Sequence, residues 1–135
     1  MKRWTALGMI GFVLALTGCR VEDREPPACA LSSPGGAFNV VANSEFDIAG
    51  RASDNKGLVS VTAVLFETFT EQIVQTASIP ISGMETDFSF SMPAGDRYTE
   101  SGDYTLRVTA ADKAGNEGSS FLQITVQELP LVYKG

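Results

Sequence analysis

The chain has 135 residues, with 16 acidic and 10 basic side chains, a net charge of −6 and no histidine. The lack of histidine excludes Ser-His-Asp and Cys-His nucleophilic sites, as well as histidine-based zinc and iron sites. The acidic balance disfavours contact with phosphate backbones, so we do not expect a nucleic-acid partner.

The N-terminal region has the residue order of a secretory signal peptide. Lys2 and Arg3 precede an apolar run from Ala6 to Leu16, and this run is shorter than the roughly 20 residues that a membrane-spanning helix needs. We therefore interpret residues 1–18 as a signal peptide that is removed. Its cleavage leaves 117 residues, enough for one domain, and the loss of Lys2 and Arg3 makes the net charge −8.

The segment Leu16-Thr17-Gly18-Cys19 resembles the lipobox of bacterial lipoproteins. The resemblance implies that the Cys19 thiol receives a diacylglycerol and that the new amino group receives a further acyl chain, which together give a stable anchor. It thus implies a membrane partner and a location at the cell envelope. In such lipoproteins an Asp directly after the cysteine is associated with retention in the inner membrane. This chain has Arg20 at that position, which favours a location in the outer membrane. The alternative is an ordinary signal peptide with an incidental cysteine.

Residues 19–36 are interpreted as the lipidated cysteine and a flexible tether. The segment is rich in charge and then in proline, a composition that cannot bury a core. The residues concerned are Arg20, Glu22, Asp23, Arg24, Glu25, Pro26 and Pro27. If Cys19 is lipidated, Cys29 has no intramolecular partner, so a disulfide framework is excluded and Cys29 is assigned no role.

Residues 37–128 are predicted to be all-β, because β-branched and aromatic runs alternate with turn signals and no long helical period occurs. About seven strands are predicted, and a shift of apolar phase within 58–69 indicates a bulge. The predicted strands lie near 38–41, 45–52, 58–69, 73–81, 88–92, 104–111 and 122–126. Residues 129–135 are interpreted as a C-terminal tail or linker.

Two segments, Ala52–Leu58 and Tyr104–Asn116, resemble bacterial Ig-like and cadherin-like modules. The resemblance implies a single Ig-like antiparallel β-sandwich, for which about seven strands is the expected number. Tyr104 follows Ser101-Gly102-Asp103, the position of a tyrosine corner, in which the hydroxyl bonds the backbone of the preceding turn. Its predicted role is structural.

Two loops of this sandwich offer hard oxygen ligands of the kind that Ca²⁺ accepts. The second-to-third and sixth-to-seventh strand loops of an Ig-like sandwich lie at one end, which we expect to be the end far from the anchor. The candidate ligands are Asp54, Asn55, Asp112 and Asn116. Turn chemistry alone also explains both motifs, since Asp and Asn bond their own backbone and Gly57 and Gly115 supply a positive φ. Both interpretations stay open, and no other cofactor is expected.

No enzyme site is predicted. Glu45 and Asp47 fall on the outer phase of a strand, where a solvated surface pair is favoured over a glycosidase dyad. Carbohydrate sites favour flat aromatic platforms, and the only Trp, Trp4, leaves with the signal peptide. The rings that remain as candidates are Phe66, Phe69, Tyr98 and Phe121.

The predicted function is a lipid-anchored, non-enzymatic Ig-like module at the envelope, acting as a spacer, adhesion or protein-binding domain. Two alternatives stay open. One is an accessory N-terminal module of a larger surface binding or catalytic protein, and the other is a carbohydrate-binding module.

Overall fold

The structure is a computed structural model that describes residues 24–130. The predictions for residues 1–18, for Cys19 and for the end of the tail lie outside the described residues. The described part consists of eight strands: β1 (Ala28–Ser33), β2 (Phe38–Val41), β3 (Glu45–Ser53), β4 (Leu58–Glu67), β5 (Ile73–Pro80), β6 (Glu85–Pro93), β7 (Gly102–Asp112) and β8 (Glu117–Gln127). Over residues 24–130 no helix has the length and apolarity needed to cross a bilayer.

The strands form two sheets packed face to face. One sheet has the order β1-β3-β6 and the other β2-β8-β7-β4-β5. This arrangement confirms the predicted all-β sandwich. All strand pairs are antiparallel except β2 with β8, which run parallel with Phe38 opposite Ile124 and Val41 opposite Gln127. The sequence pattern did not indicate this one parallel pairing at the edge of the sheet.

The core lies between the sheets and follows directly from the alternation of apolar residues. In β7, Tyr104, Leu106, Val108 and Ala110 are all buried, because successive side chains of a strand point to opposite faces. They meet buried residues of β3, such as Ile48. Burial of each large aliphatic side chain stabilises the fold by about 1.5–3 kcal/mol.

The first strand, β1, lies inside the segment that we expected to be a flexible tether. Ala28 pairs with Ser53 and Leu31 with Gly50, so the sandwich begins at residue 28 and not at 37. The sequence of β1, Ala-Cys-Ala-Leu-Ser-Ser, is short and has small side chains, so it gives no clear strand signal. Gly50 makes this pairing feasible, since a Cβ there would overlap the carbonyl oxygen of Ala30.

Strand β4 is irregular, as its apolar phase predicts. Its register shifts against β7 between Leu58 and Ser60, and against β5 between Leu65 and Phe66. The strand ends at Glu67 and not at Phe69, because the amide of Glu71 donates a 2.8 Å hydrogen bond to the Glu67 carbonyl and closes a turn.

The two ends of the sandwich carry different connections. At the end where Pro27 leads into β1, called the proximal end, lie the turns joining β3 to β4, β5 to β6 and β7 to β8. At the opposite, distal end lie the β4–β5 turn, the β6–β7 loop and the last residue of β8, Gln127. At this distal end the amide of Glu128 donates to the Ser101 hydroxyl oxygen at 2.8 Å. The described chain thus enters at one end and leaves at the other.

Candidate functional site

Asp54 organises the turn between β3 and β4. Its Oδ2 accepts hydrogen bonds from the amides of Lys56 and Gly57, both at 2.9 Å, and its own amide donates to the Met84 carbonyl at 2.8 Å. The residue is buried. A carboxylate that accepts two local amides holds a turn in the way typical of Asp.

Asp112 has the same role in the turn between β7 and β8. Its Oδ1 accepts from the amides of Ala114 and Asn116 at 2.9 and 2.8 Å, and its Oδ2 accepts from Asn116 Nδ2 at 3.0 Å. The Asp112 side chain is more deeply buried than that of Asp54, with 2% exposure. Each of its two oxygens is therefore hydrogen-bonded within the turn.

The two turns lie side by side, as the sequence predicts for loops at one end of the sandwich. The amide of Lys113 donates a 3.0 Å hydrogen bond to the Gly57 carbonyl, and Leu58 lies opposite Asp112 in the pairing of β4 with β7. Gly57 has a φ of +139°, a conformation that L side chains rarely adopt.

The geometry offers one carboxylate oxygen that the turns do not use. Asp54 Oδ1 is buried and has no hydrogen-bond partner among the described residues. Within residues 24–130, no group of three or more His, Cys, Asp or Glu side chains is placed to hold a metal ion. Turn chemistry accounts for the other oxygens of Asp54 and Asp112, and Asn55 is exposed.

The expectation that these turns lie at the end far from the incoming N-terminal segment is wrong. Ala28 pairs with Ser53, directly before Asp54, and Pro27 is buried against Gly118 just after the Asp112 turn. Both turns are therefore at the proximal end. The physical reason is β1, whose N-terminal end brings the incoming chain to this point.

Tyr104 occupies a tyrosine corner at the distal end. Its hydroxyl donates a 2.8 Å hydrogen bond to the carbonyl oxygen of Glu100, four residues earlier. Burial, followed by the nearby charges of Glu67 and Glu100, raises the pKa of the Tyr104 hydroxyl above its ordinary value. The structure thus gives Tyr104 the contact that its sequence position predicts.

The outer face of the three-stranded sheet is charged. Glu45 and Asp47 are exposed there, and the Ser91 hydroxyl donates to Asp47 Oδ1 at 2.8 Å. Beside them Arg51 forms exposed ion pairs with Glu85 at 3.0 Å and Asp87 at 2.9 Å. This is the solvated surface predicted for Glu45 and Asp47.

The predicted exposed rings divide between two places. Phe69 and Tyr98 are exposed at the distal end, with 83% and 71% exposure. Phe121 is exposed on the outer face of the five-stranded sheet, where Arg107 lies over the half-buried ring of Phe66 at 5.6 Å from its centroid. Sequence reasoning placed Arg107 on the polar face of its strand and missed its position over the Phe66 ring.

Comparison with solved structures identifies similar folds. The sequence matches no protein-family model and no curated protein. Among solved structures, the chain is similar to fibronectin(III)-like modules of CbhA from Clostridium thermocellum, with 18% identity and a TM-score of 0.54. That match covers 82% of this chain and 52% of the other, so the chain spans about half of that structure.

A second similar structure is CopC from Methylosinus trichosporium OB3b. It has 15% identity and a TM-score of 0.48, over 79% of this chain and 99% of the other. At such identities the likeness concerns architecture alone. Together with the two packed sheets described above, the similarity to the fibronectin(III)-like modules shows that the chain folds as an Ig-like β-sandwich.

Proposed function

We propose that this protein is a lipid-anchored, non-enzymatic Ig-like module that holds its distal end away from the outer membrane and presents it to a protein partner. The observation that carries the proposal is the path of the chain. Pro27 enters beside the Asp54 and Asp112 turns, and Gln127 leaves at the opposite end, beside Ser101. A tether that ends in Pro27 therefore holds the proximal end.

The length of the sandwich sets the distance between its proximal and distal ends. β7 runs from the distal to the proximal end with 11 residues, and a strand rises about 3.4 Å per residue, so the module extends about 35 Å. A lipid on Cys19 and the charged residues that follow it add reach below the proximal end.

The distal end has the features of a contact surface. Phe69 and Tyr98 expose their rings there, and the Arg97 guanidinium lies 5.3 Å from the Tyr98 ring centroid. Aromatic side chains and arginine are enriched in protein interfaces and in their energetic hot spots. These residues favour a protein partner at the distal end.

The orientation is tested by energy transfer from the protein to a dye in the bilayer. In a Cys29→Ser background, the lipoprotein is reconstituted in vesicles and labelled at one introduced cysteine, Phe69→Cys at the distal end or Lys56→Cys at the proximal end. The proposal expects weaker transfer from position 69 than from position 56. Equal transfer from the two positions would mean that the domain lies flat, and stronger transfer from position 69 would mean that it is inverted.

The anchor has its own test. Cys19→Ala should move the protein from the membrane fraction to the soluble fraction, whereas Cys29→Ser should leave it in the membrane fraction. Continued membrane association of the Cys19→Ala protein would contradict lipidation at this residue.

A second candidate is the accessory role in a larger surface protein, and the distal position of Gln127 favours it. A module that receives the chain at one end and releases it at the other can raise a following domain above the membrane. The coding sequence downstream of Gly135 tests this candidate: a further domain would support it, and a stop codon followed by an unrelated gene would oppose it.

The calcium site is kept as a proposal because Asp54 Oδ1 is buried without a hydrogen-bond partner. Since desolvating an unpaired carboxylate oxygen is costly, a bound cation would compensate for it. Titration calorimetry with CaCl₂ should show binding that Asp54→Asn weakens. If the unmodified protein releases or absorbs no heat at millimolar calcium, the site does not exist.

A further inference from the structure

The outer face of the five-stranded sheet has an ordered arrangement of side chains that the spacer role does not use. Strands β5, β4, β7 and β8 lie next to one another, and their outward residues form rows across the sheet. The first row consists of four hydroxyl residues in register, namely Ser78, Thr62, Thr109 and Ser119.

The hydroxyls of this row are linked in pairs. Thr62 Oγ1 lies 2.9 Å from Ser78 Oγ, and Thr109 Oγ1 lies 2.7 Å from Ser119 Oγ. Each hydroxyl can serve as one donor and two acceptors. Ser78 Oγ also donates to the Val61 carbonyl at 3.3 Å, so Thr62 and Ser78 offer a ligand acceptor oxygens, and the pair of Thr109 and Ser119 offers one donor as well. All four groups lie on the solvent side of the sheet, which gives a flat polar strip across four strands.

The next row, two residues along each strand, combines apolar surface with one strong donor. Arg107 lies opposite Phe121 in the pairing of β7 with β8 and opposite Val64 in the pairing with β4. Phe121 is 62% exposed. The Phe66 ring, under the Arg107 guanidinium, begins a third row and lies opposite Ile73.

Arg107 differs from Arg51, its counterpart on the other sheet. Arg51 is bound by two carboxylates, whereas Arg107 forms no ion pair among the described residues, although Glu71 borders the same shallow hollow. Its remaining N–H donors are therefore open to a ligand. In a chain rich in acids, a guanidinium that lies over the Phe66 ring and pairs with no carboxylate is the distinctive feature of this face.

We propose that this face binds a neutral polysaccharide. A sugar chain has flat C–H surfaces that suit the exposed Phe121 ring and hydroxyl groups that suit both the polar strip and the Arg107 donors. A polyanion fits less well, because Arg107 is the only cation in the three rows and the chain as a whole is acidic.

The three rows are large enough for a short stretch of glycan. Four strands about 4.8 Å apart and three rows about 7 Å apart cover roughly 400 Å².

The test is affinity gel electrophoresis of the purified protein in gels containing hydroxyethyl cellulose, xylan or galactomannan, with alginate as the acidic comparison. At least one neutral polysaccharide should retard the protein, and alginate should not. Phe121→Ala and Arg107→Ala should each weaken binding about tenfold.

Two matched variants serve as controls. Phe69→Ala removes a more exposed ring at the distal end, and Arg51→Ala removes the paired arginine of the other sheet, so both should bind within twofold of the unmodified protein. Thermal unfolding confirms that all four variants are folded. The proposal is overturned if none of the neutral polysaccharides retards the protein, if alginate alone does so, or if binding survives in both Phe121→Ala and Arg107→Ala. The distal spacer role does not depend on this result.

Discussion

The Tyr104 hydroxyl lies 2.8 Å from the carbonyl oxygen of Glu100 and donates a hydrogen bond to it. This contact fixes the loop that leads into β7, the strand with neighbours on both sides in the middle of the five-stranded sheet. The ring that carries this hydroxyl is buried in the core.

Tyr104→Phe should lower the free energy of unfolding by about 1 kcal/mol, since it removes this one hydrogen bond and leaves the ring in place. Urea denaturation followed by circular dichroism measures the change. Tyr98→Phe is the control, because Tyr98 is exposed, and its effect should be within about 0.5 kcal/mol. Equal losses in both variants would contradict the role assigned to Tyr104.

The raised pKa of Tyr104 predicts a loss of stability in alkali. The folded state favours the neutral phenol of Tyr104 more than the unfolded state does. The resulting contribution to the free energy of unfolding is fully present below the ordinary pKa of 10.0 and is lost as the pH rises through the folded-state pKa. The free energy of unfolding should fall as the pH rises above the ordinary pKa. The fall should be smaller in Tyr104→Phe, and an identical pH profile would refute the assignment.

Gly118→Ala should destabilise the protein by about 1–3 kcal/mol, because a Cβ would overlap the carbonyl oxygen of Pro27 and push the incoming chain away. Gly36→Ala is a suitable control, since a Cβ at that position meets no atom within 4 Å. The midpoint of urea unfolding distinguishes the two variants. An unchanged midpoint in Gly118→Ala would mean that Pro27 is not held against Gly118.

Asp112→Ala should cost about 1–3 kcal/mol, because it leaves the amides of Ala114 and Asn116 without their acceptor in a part-buried turn. Removing an exposed carboxylate, as in Asp47→Ala, should change the free energy of unfolding by no more than about 0.5 kcal/mol. If the loss in Asp112→Ala appears only in the presence of calcium, the residue is a metal ligand and the turn does not depend on it.

Burial raises the pKa of the Cys29 thiol, so less thiolate is present near neutral pH than in an unfolded chain. Alkylation of Cys29 by iodoacetamide in the native protein should therefore be slower than in urea. Mass spectrometry of the modified protein gives both rates, and comparable rates would show that β1 does not stay on the sandwich.

The alternation of large apolar residues was enough to predict the core strands and the hairpin of β7 with β8. Tyr104, Leu106 and Val108 share a phase, and all three are buried. Strand β1 was missed because its small side chains resemble a linker, and the parallel pairing of Phe38 with Ile124 joins residues too distant in sequence for any local pattern to show.

The same limit applies to the sites. The Asp54 and Asp112 turns were predicted from their residues, and their closeness to each other followed from the fold class. Their position beside the incoming chain depends on the pairing of Ala28 with Ser53, which was not visible in the sequence. The rows around Arg107 likewise depend on the register of four strands, which alternation alone does not determine.

The opposite placement of the incoming and outgoing chain also has a mechanical consequence. A pull between the tether and Gln127 acts along the strands, so it loads the hydrogen bonds of β1 with β3, and of β8 with β2 and β7, in shear. Bonds loaded in this way must break together, whereas a hairpin pulled open from one end loses them one at a time. A force applied at Gln127 would thus be resisted by whole strand pairs.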